Sequence, residues 1–420
     1  MSTEWVRRTV PPLMRDVHFR RYWLGQSISL MGGQISMLAF PLTAVLVLKT
    51  NAIGMALITA VGSLPALLFS VPIGSWVDGR ASRRQIMIVA DLLRALLILM
   101  IPLAMTASLL SLPVLVGLWF GVGICSVFFR VSSSTVFVAL VPSGQYLEAN
   151  GMLQQSQATA FLFGPALGGW LIQLLSAPVA LLGDALSFVV SAATLSLVHP
   201  KESRAFHEAN RNIWEGMRFI RSAPILREIF MAQMTQNFFR AAFTTVYILF
   251  ATRYLRVTPE QWGLIFGPSS VLALLGSSVT TRMANRIGLG RTLVVGSTLL
   301  NLPMLVVPLI GGQHWTVVAA LFMAEGVSGA GAMIRAITVG TIQAVSIPDD
   351  IRARVMAGFT TAGTGMTPLG AGFAALLSWL AGIHYTVLVA TLGLSVSFLW
   401  LLRPRVLSLR NHKELQPLVT

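Results

Sequence analysis

Seven ionisable residues stand inside stretches otherwise apolar enough to cross a bilayer: Asp91, Arg94, Arg130, Asp184, Arg240, Glu325 and Arg335. A charge at the bilayer centre costs at least about 2.5–3.5 kcal/mol on insertion scales, so each is a candidate for pairing, binding or carrying something. Glu325 falls near the middle of its stretch, where a lone carboxyl can take up and release a proton or hold a cation. Arg240 and Arg335 have the charge to meet an anionic group. Arg335 lies almost three turns beyond Glu325 and cannot pair with it on a straight helix. Asp184, nearer the outer end of its stretch, is a second proton-coupling candidate or a helix-terminal residue. Asp91 and Arg94, one turn apart, and Arg130 at similar depth on the next stretch suit a supporting charge cluster near the cytoplasmic edge. Gln233, Gln236, Asn237, Arg240 and Thr244 follow i, i+3, i+4, i+7 and i+11 spacing, so one helix face is polar. In lipid that face must turn inward. Gln34, beside Gln26 and Gly33, offers a matching polar position, and Gln34, Gln233, Gln236 and Asn237 are expected to line a cavity.

Other chemistries find no support. The six histidines fall in loops or at span ends, and no H-E-x-x-H, G-x-S-x-G or phosphate-loop pattern is present. No catalytic residue, metal site or cofactor is therefore expected, and ATP hydrolysis within this chain is excluded as an energy source. Cys125 is the only cysteine, so no intrachain disulfide forms. The formal charge of +15 does not point to nucleic acid, because the arginines flank apolar spans rather than gathering with aromatics.

The elements that must hold these residues are long apolar helices. Hydrophobic residues make up 55% of the 420 and charged residues 11%, against about a quarter charged in soluble domains. A bilayer core needs about 20 apolar residues per helix. Spans are expected near 22–48, 53–77, 86–106, 112–141, 150–175, 178–198, 226–252, 261–284, 291–311, 315–345, 352–380 and 384–402. The first is too long for a cleavable signal and reads as a signal-anchor helix.

Basic residues fall on alternate loops. Arg7, Arg8, Arg15, Arg20 and Arg21 precede span one, Arg80, Arg83 and Arg84 follow span two, and Lys201, Arg204, Arg211, Arg218, Arg221 and Arg227 follow span six. With the later segments through Arg410 and Lys413, 23 of the 30 Lys and Arg lie on one side; only Lys49, Arg253 and Arg256 lie on the other. Both termini are thus expected in the cytoplasm. The organisation expected is an N-terminal segment 1–21, a six-helix bundle 22–198, a linker 199–225 with an amphipathic helix presenting Trp214, Met217 and Ile220, a second six-helix bundle 226–402 and a tail 403–420.

The halves echo each other at an offset near 203. Gly74 corresponds to Gly276, Arg130 to Arg335, Gln34 to Asn237 and Val141-Pro142 to Ile347-Pro348, while "GPALGG" from Gly164 matches "TPLGAG" from Thr367. Parallel six-span repeats place a substrate site near the bilayer midplane.

Three segments carry a family resemblance. "GSWVDGRASRR" resembles the loop signature G-x-x-x-D-R-x-G-R-R of the major facilitator superfamily, with Gly74, Asp78, Arg83 and Arg84 matching, Arg80 displaced by one place and Ser82 replacing a glycine. "AFLFGPALGG" and its upstream Gly151 resemble the span-five signature of that superfamily's antiporters, through Gly151, Gly164, Pro165, Gly168 and Gly169, with Ala160 replacing one glycine. "FRRYWLGQSISLMGGQIS" and "GDALSF" resemble the branch of macrolide-efflux and siderophore exporters. Gly33 stands where members of that branch often have an acidic residue.

The resemblance implies an all-α integral membrane protein of twelve transmembrane helices in two pseudo-symmetric six-helix bundles. It implies a secondary transporter of the cytoplasmic membrane, not an enzyme. It would export a small, moderately hydrophobic drug or secondary metabolite by alternating access and proton antiport. A siderophore or a lysophospholipid-like amphiphile is the alternative cargo. The loop from Gly74 to Arg84 would latch one access state. The partners implied are substrate, protons and lipid, with no ATPase subunit and a single copy as the working unit.

Overall fold

The computed structural model describes residues 12–80, 82–199 and 213–409. Twelve long helices follow in chain order. They are α1 Val17–Leu42, prolonged by a π turn Thr43–Val47, then α2 Ala52–Asp78, α3 Arg83–Thr106, α4 Leu112–Leu140, α5 Tyr146–Leu175, α6 Ala177–Ser196, α7 Pro224–Arg253, α8 Pro259–Ile287, α9 Leu289–Asn301 with further turns to Leu309, α10 His314–Ser346, α11 Asp349–Ala381 and α12 Ile383–Val396 with a 3-10 extension Ser397–Leu402. No strand occurs among the described residues. Each expected span is a helix, and the ends agree to within five residues, the largest difference being the start of α1.

Local chemistry sets these boundaries. Prolines occupy the first turn of α4, α6, α7 and α8, where a missing N–H costs nothing. The Gln261 side chain accepts from the Thr258 N–H at 3.0 Å and so caps the start of α8. Gly288 and Gly382, at φ of 91° and 86°, turn the chain from α8 into α9 and from α11 into α12. A positive φ strains a residue that carries a Cβ, so glycine suits both turns.

Among the described residues, ten helices are long and apolar enough to cross a membrane. The two long helices outside that set are α7 and α11, which carry the polar stripe and a run of Thr and Gly.

The chain forms two compact units. The first holds Met1–Leu48 and Leu64–Glu208, the second Lys49–Ser63 and Ala209–Thr420. Residues Lys49–Ser63, expected with the N-terminal bundle, thus belong by their contacts to the second unit, where Arg253 of α7 donates to the Thr50 carbonyl at 2.8 Å. The amphipathic helix is present as Ile213–Ser222. It is docked rather than free: Ile220 is fully buried in a core with Val355 and Phe359 of α11, Met217 packs beside it, and Trp214 remains exposed. Glu215 pairs with Arg354 at the start of α11. Arg7, Arg8, Lys201, Arg204, Arg211, Arg410 and Lys413 lie outside the described residues.

Candidate functional site

In the second unit, α7 and α11 frame a cavity of about 460 Å³. From α7 it is lined by Gln233, Asn237, Arg240, Ala241 and Thr244, and from α11 by Phe359, Thr360, Gly363, Thr364 and Thr367. Helical periodicity produces this wall, because positions three, four and seven apart share a face. Close approach of the two helices depends on glycine. A Cβ at Gly363 would sit 2.7 Å from Asn237 Nδ2, and one at Gly370 would collide with the Phe238 carbonyl and lie 2.9 Å from Ala241 Cβ. Thr244 and Thr360 donate to the carbonyls of Arg240 and Met356, each at 2.9 Å, which leaves their oxygens as acceptors toward the cavity. Among the described residues the Gln233 and Asn237 side chains make no hydrogen bond to protein, so their amides are free for water or a ligand.

Arg240 supplies the positive charge of this wall. Its side chain is exposed and has no ion pair within 4 Å among the described residues. The carboxylate it senses is Glu325 on α10, which also faces the Tyr247 hydroxyl. Tyr247 is buried among Phe243, Trp262 and Phe266, with its hydroxyl toward Glu325. Glu325 does not line the cavity, and it is near enough to Arg240 for their charges to interact.

The structure rearranges several expected members. Gln236 is 6% exposed and points away from the cavity its neighbours line. Gln34 belongs to a helix crossing in the first unit, where the backbone at Gly164 of α5 rests on its Cβ and Gly168 approaches Ile35. Arg335 is half-buried, absent from the cavity wall and without a charged partner among the described residues. Phe359, Thr360, Thr364 and Thr367 escaped the sequence reading. Their signal was a small polar stripe on α11, which reads equally as helix packing.

The first unit holds its own charges. Arg94 donates to Asp91 Oδ1 and lies between the rings of Phe129 and Phe188, at 4.3 and 4.2 Å. Asp184 on α6 faces the same guanidinium and accepts hydrogen bonds from Ser36 of α1 and, at 3.1 Å, from Ser187. Asp184 is thus a buried residue inside α6, near Arg94, rather than a helix-terminal residue. Arg130 is exposed, so it does not join the buried charges expected with it, Asp91 and Arg94, whereas Asp184 is buried near them.

At the end of α2, Gly74 is buried, and Arg80 just beyond the helix stacks over Trp76 at 4.1 Å. Arg83 is buried. Arg84 donates to the carbonyl of Val198, and Arg21 donates to that of Leu197 at 2.8 Å, so both satisfy carbonyls at the C-terminal end of α6. The Asp78 side chain and Ala81 lie outside the described part. On α5, Pro165 sits within the helix between Gly164 and Gly168, Gly169 is buried, and Gly151 has no close neighbour.

A bundle of long apolar helices with a polar cavity cut into its two least apolar members defines a multi-pass membrane transport protein. The chain belongs to the Major Facilitator Superfamily, whose model matches residues 22–371. It is 26% identical over 394 residues to the multidrug efflux pump Tap of Mycolicibacterium fortuitum, covering 86% of this chain and 89% of that protein. Over 163 residues it is 26% identical to the MFS-type transporter YjbB of Bacillus subtilis (strain 168), a match covering 38% of this chain and 40% of that protein.

Among solved structures it resembles a bacterial homologue of the human lysosomal transporter Spinster in an inward-facing, occupied conformation. The TM-score is 0.71 at 12% identity, over 93% of this chain and 97% of the other. A bacterial homologue of the iron transporter ferroportin, inward-facing, gives a TM-score of 0.67 at 16% identity over 94% and 100%.

Proposed function

We propose that the chain exports a small, moderately hydrophobic molecule, a drug or secondary metabolite, by alternating access in exchange for protons. The observation that carries this reading is the cavity of α7 and α11. It joins an aromatic ring, Phe359, to amides, hydroxyls and one guanidinium that have few protein partners. Such a wall suits an apolar body with hydrogen-bond acceptors. The likeness to an efflux pump over most of both chains supports export.

Proton coupling is assigned to Glu325. Protonation cancels the charge that acts on Arg240, and Arg240 lines the cavity, so proton and substrate sense one another through that side chain. Arg335 and Asp184 act as further charges, and the loop from Gly74 through Asp78, Arg80, Arg83 and Arg84 latches one access state. The working unit is a single copy in the cytoplasmic membrane with both termini inside.

The test is uptake of hydrophobic dyes into inverted vesicles under an imposed pH gradient. Glu325→Gln is expected to abolish gradient-driven uptake while dye binding remains measurable; wild-type uptake in that variant overturns the assignment.

A further inference from the structure

We propose that Asp91, Arg94 and Asp184 form a proton-binding site buried in the first unit, with the proton carried on Asp91 Oδ2; its role in transport rests on the proton-exchange reading above. The three side chains cross between α3 and α6, and their residues are 0%, 6% and 2% exposed. Asp91 pairs with the Arg94 guanidinium and Asp184 is near enough to feel the same charge, so with every group ionised the site has a formal charge of −1. A net charge held away from water costs far more than a neutral group there.

The groups facing the site supply no second cation among the described residues. From α1 come Ser36 and Gly32, from α4 Cys125 and Phe129, and from α6 Ser187, Phe188 and Ser191.

Hydrogen bonding marks where a proton belongs. Both serines that donate to Asp184 leave it well supplied with donors. Asp91 Oδ1 receives Arg94. Asp91 Oδ2, by contrast, has no donor placed on it at hydrogen-bond distance among the described residues, and it faces the buried hydroxyl of Ser191. The Ser191 hydroxyl can donate to Oδ2 when Asp91 is ionised and accept from it when Asp91 is protonated, so the site holds either state, and a proton on Oδ2 brings it to neutrality in one step. These two oxygens suffice for a proton and are too few to replace the hydration shell of a sodium ion. The site also touches a helix that packs through small residues: a Cβ on Gly32 of α1 would lie 2.6 Å from Asp184 Oδ1. Gain or loss of a proton therefore changes the electrostatic hold of the α3–α6 pair on α1.

The test begins with the full-length wild-type protein in detergent, treated with a hydrophobic carbodiimide from about pH 5 to about pH 9, with the modified carboxyls located by mass spectrometry; above the site's midpoint the protonated fraction falls about tenfold per pH unit. Modification of Asp91 that declines with pH and ignores added sodium is expected. No modification of Asp91 at any pH, or modification suppressed by sodium at fixed pH, overturns the proposal.

A second arm uses Asp91→Asn in vesicles. It should keep substrate counterflow and lose its response to a pH gradient, and a wild-type pH response overturns the site. If the wild-type protein itself ignores a pH gradient, the proton-exchange reading fails while carbodiimide labelling still reports on the site. If Asp91→Asn does not fold, the labelling of the wild-type chain decides.

Discussion

Arg240 joins the cavity wall to the charge of a carboxylate that does not line it. Its guanidinium lines the cavity and feels Glu325 without forming an ion pair within 4 Å among the described residues. A hydrogen bond from a charged donor contributes about 1.5–3 kcal/mol when its partner is present. Arg240→Gln should therefore raise KM by roughly tenfold or more, since about 1.4 kcal/mol is a factor of ten. Thermal stability should stay near that of the wild type, because no close protein partner is lost. A matched fall in stability and affinity would mean that the arginine only holds the helix in place. Arg84 and Arg21 show the opposite behaviour at this scale. Both read from sequence as topology signals, yet each also satisfies a carbonyl just beyond α6.

Helix crossings explain what could be foreseen among the elements and what could not. The repeat places Gly168 of α5 against Ile35 of α1 and Gly370 of α11 against Phe238 of α7, and Ile35 and Phe238 are separated by the offset of 203 found in the sequence. Adding volume at Gly370 forces the α7–α11 crossing apart. Gly370→Val should cost about 1–3 kcal/mol as overpacking, read as a lower midpoint of thermal unfolding in detergent. An unchanged midpoint would show that this crossing is loose. The twelve helices themselves were legible because 20-residue apolar runs and alternating arginines leave little freedom.

The partners of the buried charges were not legible. Asp91 and Asp184 are far apart in the chain, and an apolar helix gives no sign of which way it is rotated in the bundle. The same ambiguity hid Thr360, Thr364 and Thr367, since small residues serve helix packing as readily as a water-filled wall. Gln236 was misplaced for a related reason. The α7 stripe is wide enough that one of its edges turns into the core.

At the scale of the whole molecule, the helices least suited to lipid are the ones that frame the cavity. The membrane makes this necessary, because polar side chains at that depth are tolerated only against protein or water. The central claim is that the shared face of α7 and α11 is a water-filled substrate path. It is tested most directly by cysteine accessibility in membranes, with the single native cysteine, Cys125, changed to serine. Thr364→Cys should react with a membrane-impermeant maleimide and lose export once modified. Leu369→Cys, exposed on a different face of the same helix, should stay unreactive because it meets lipid. Equal labelling of the two positions, or labelling at 364 that leaves export intact, would contradict the account.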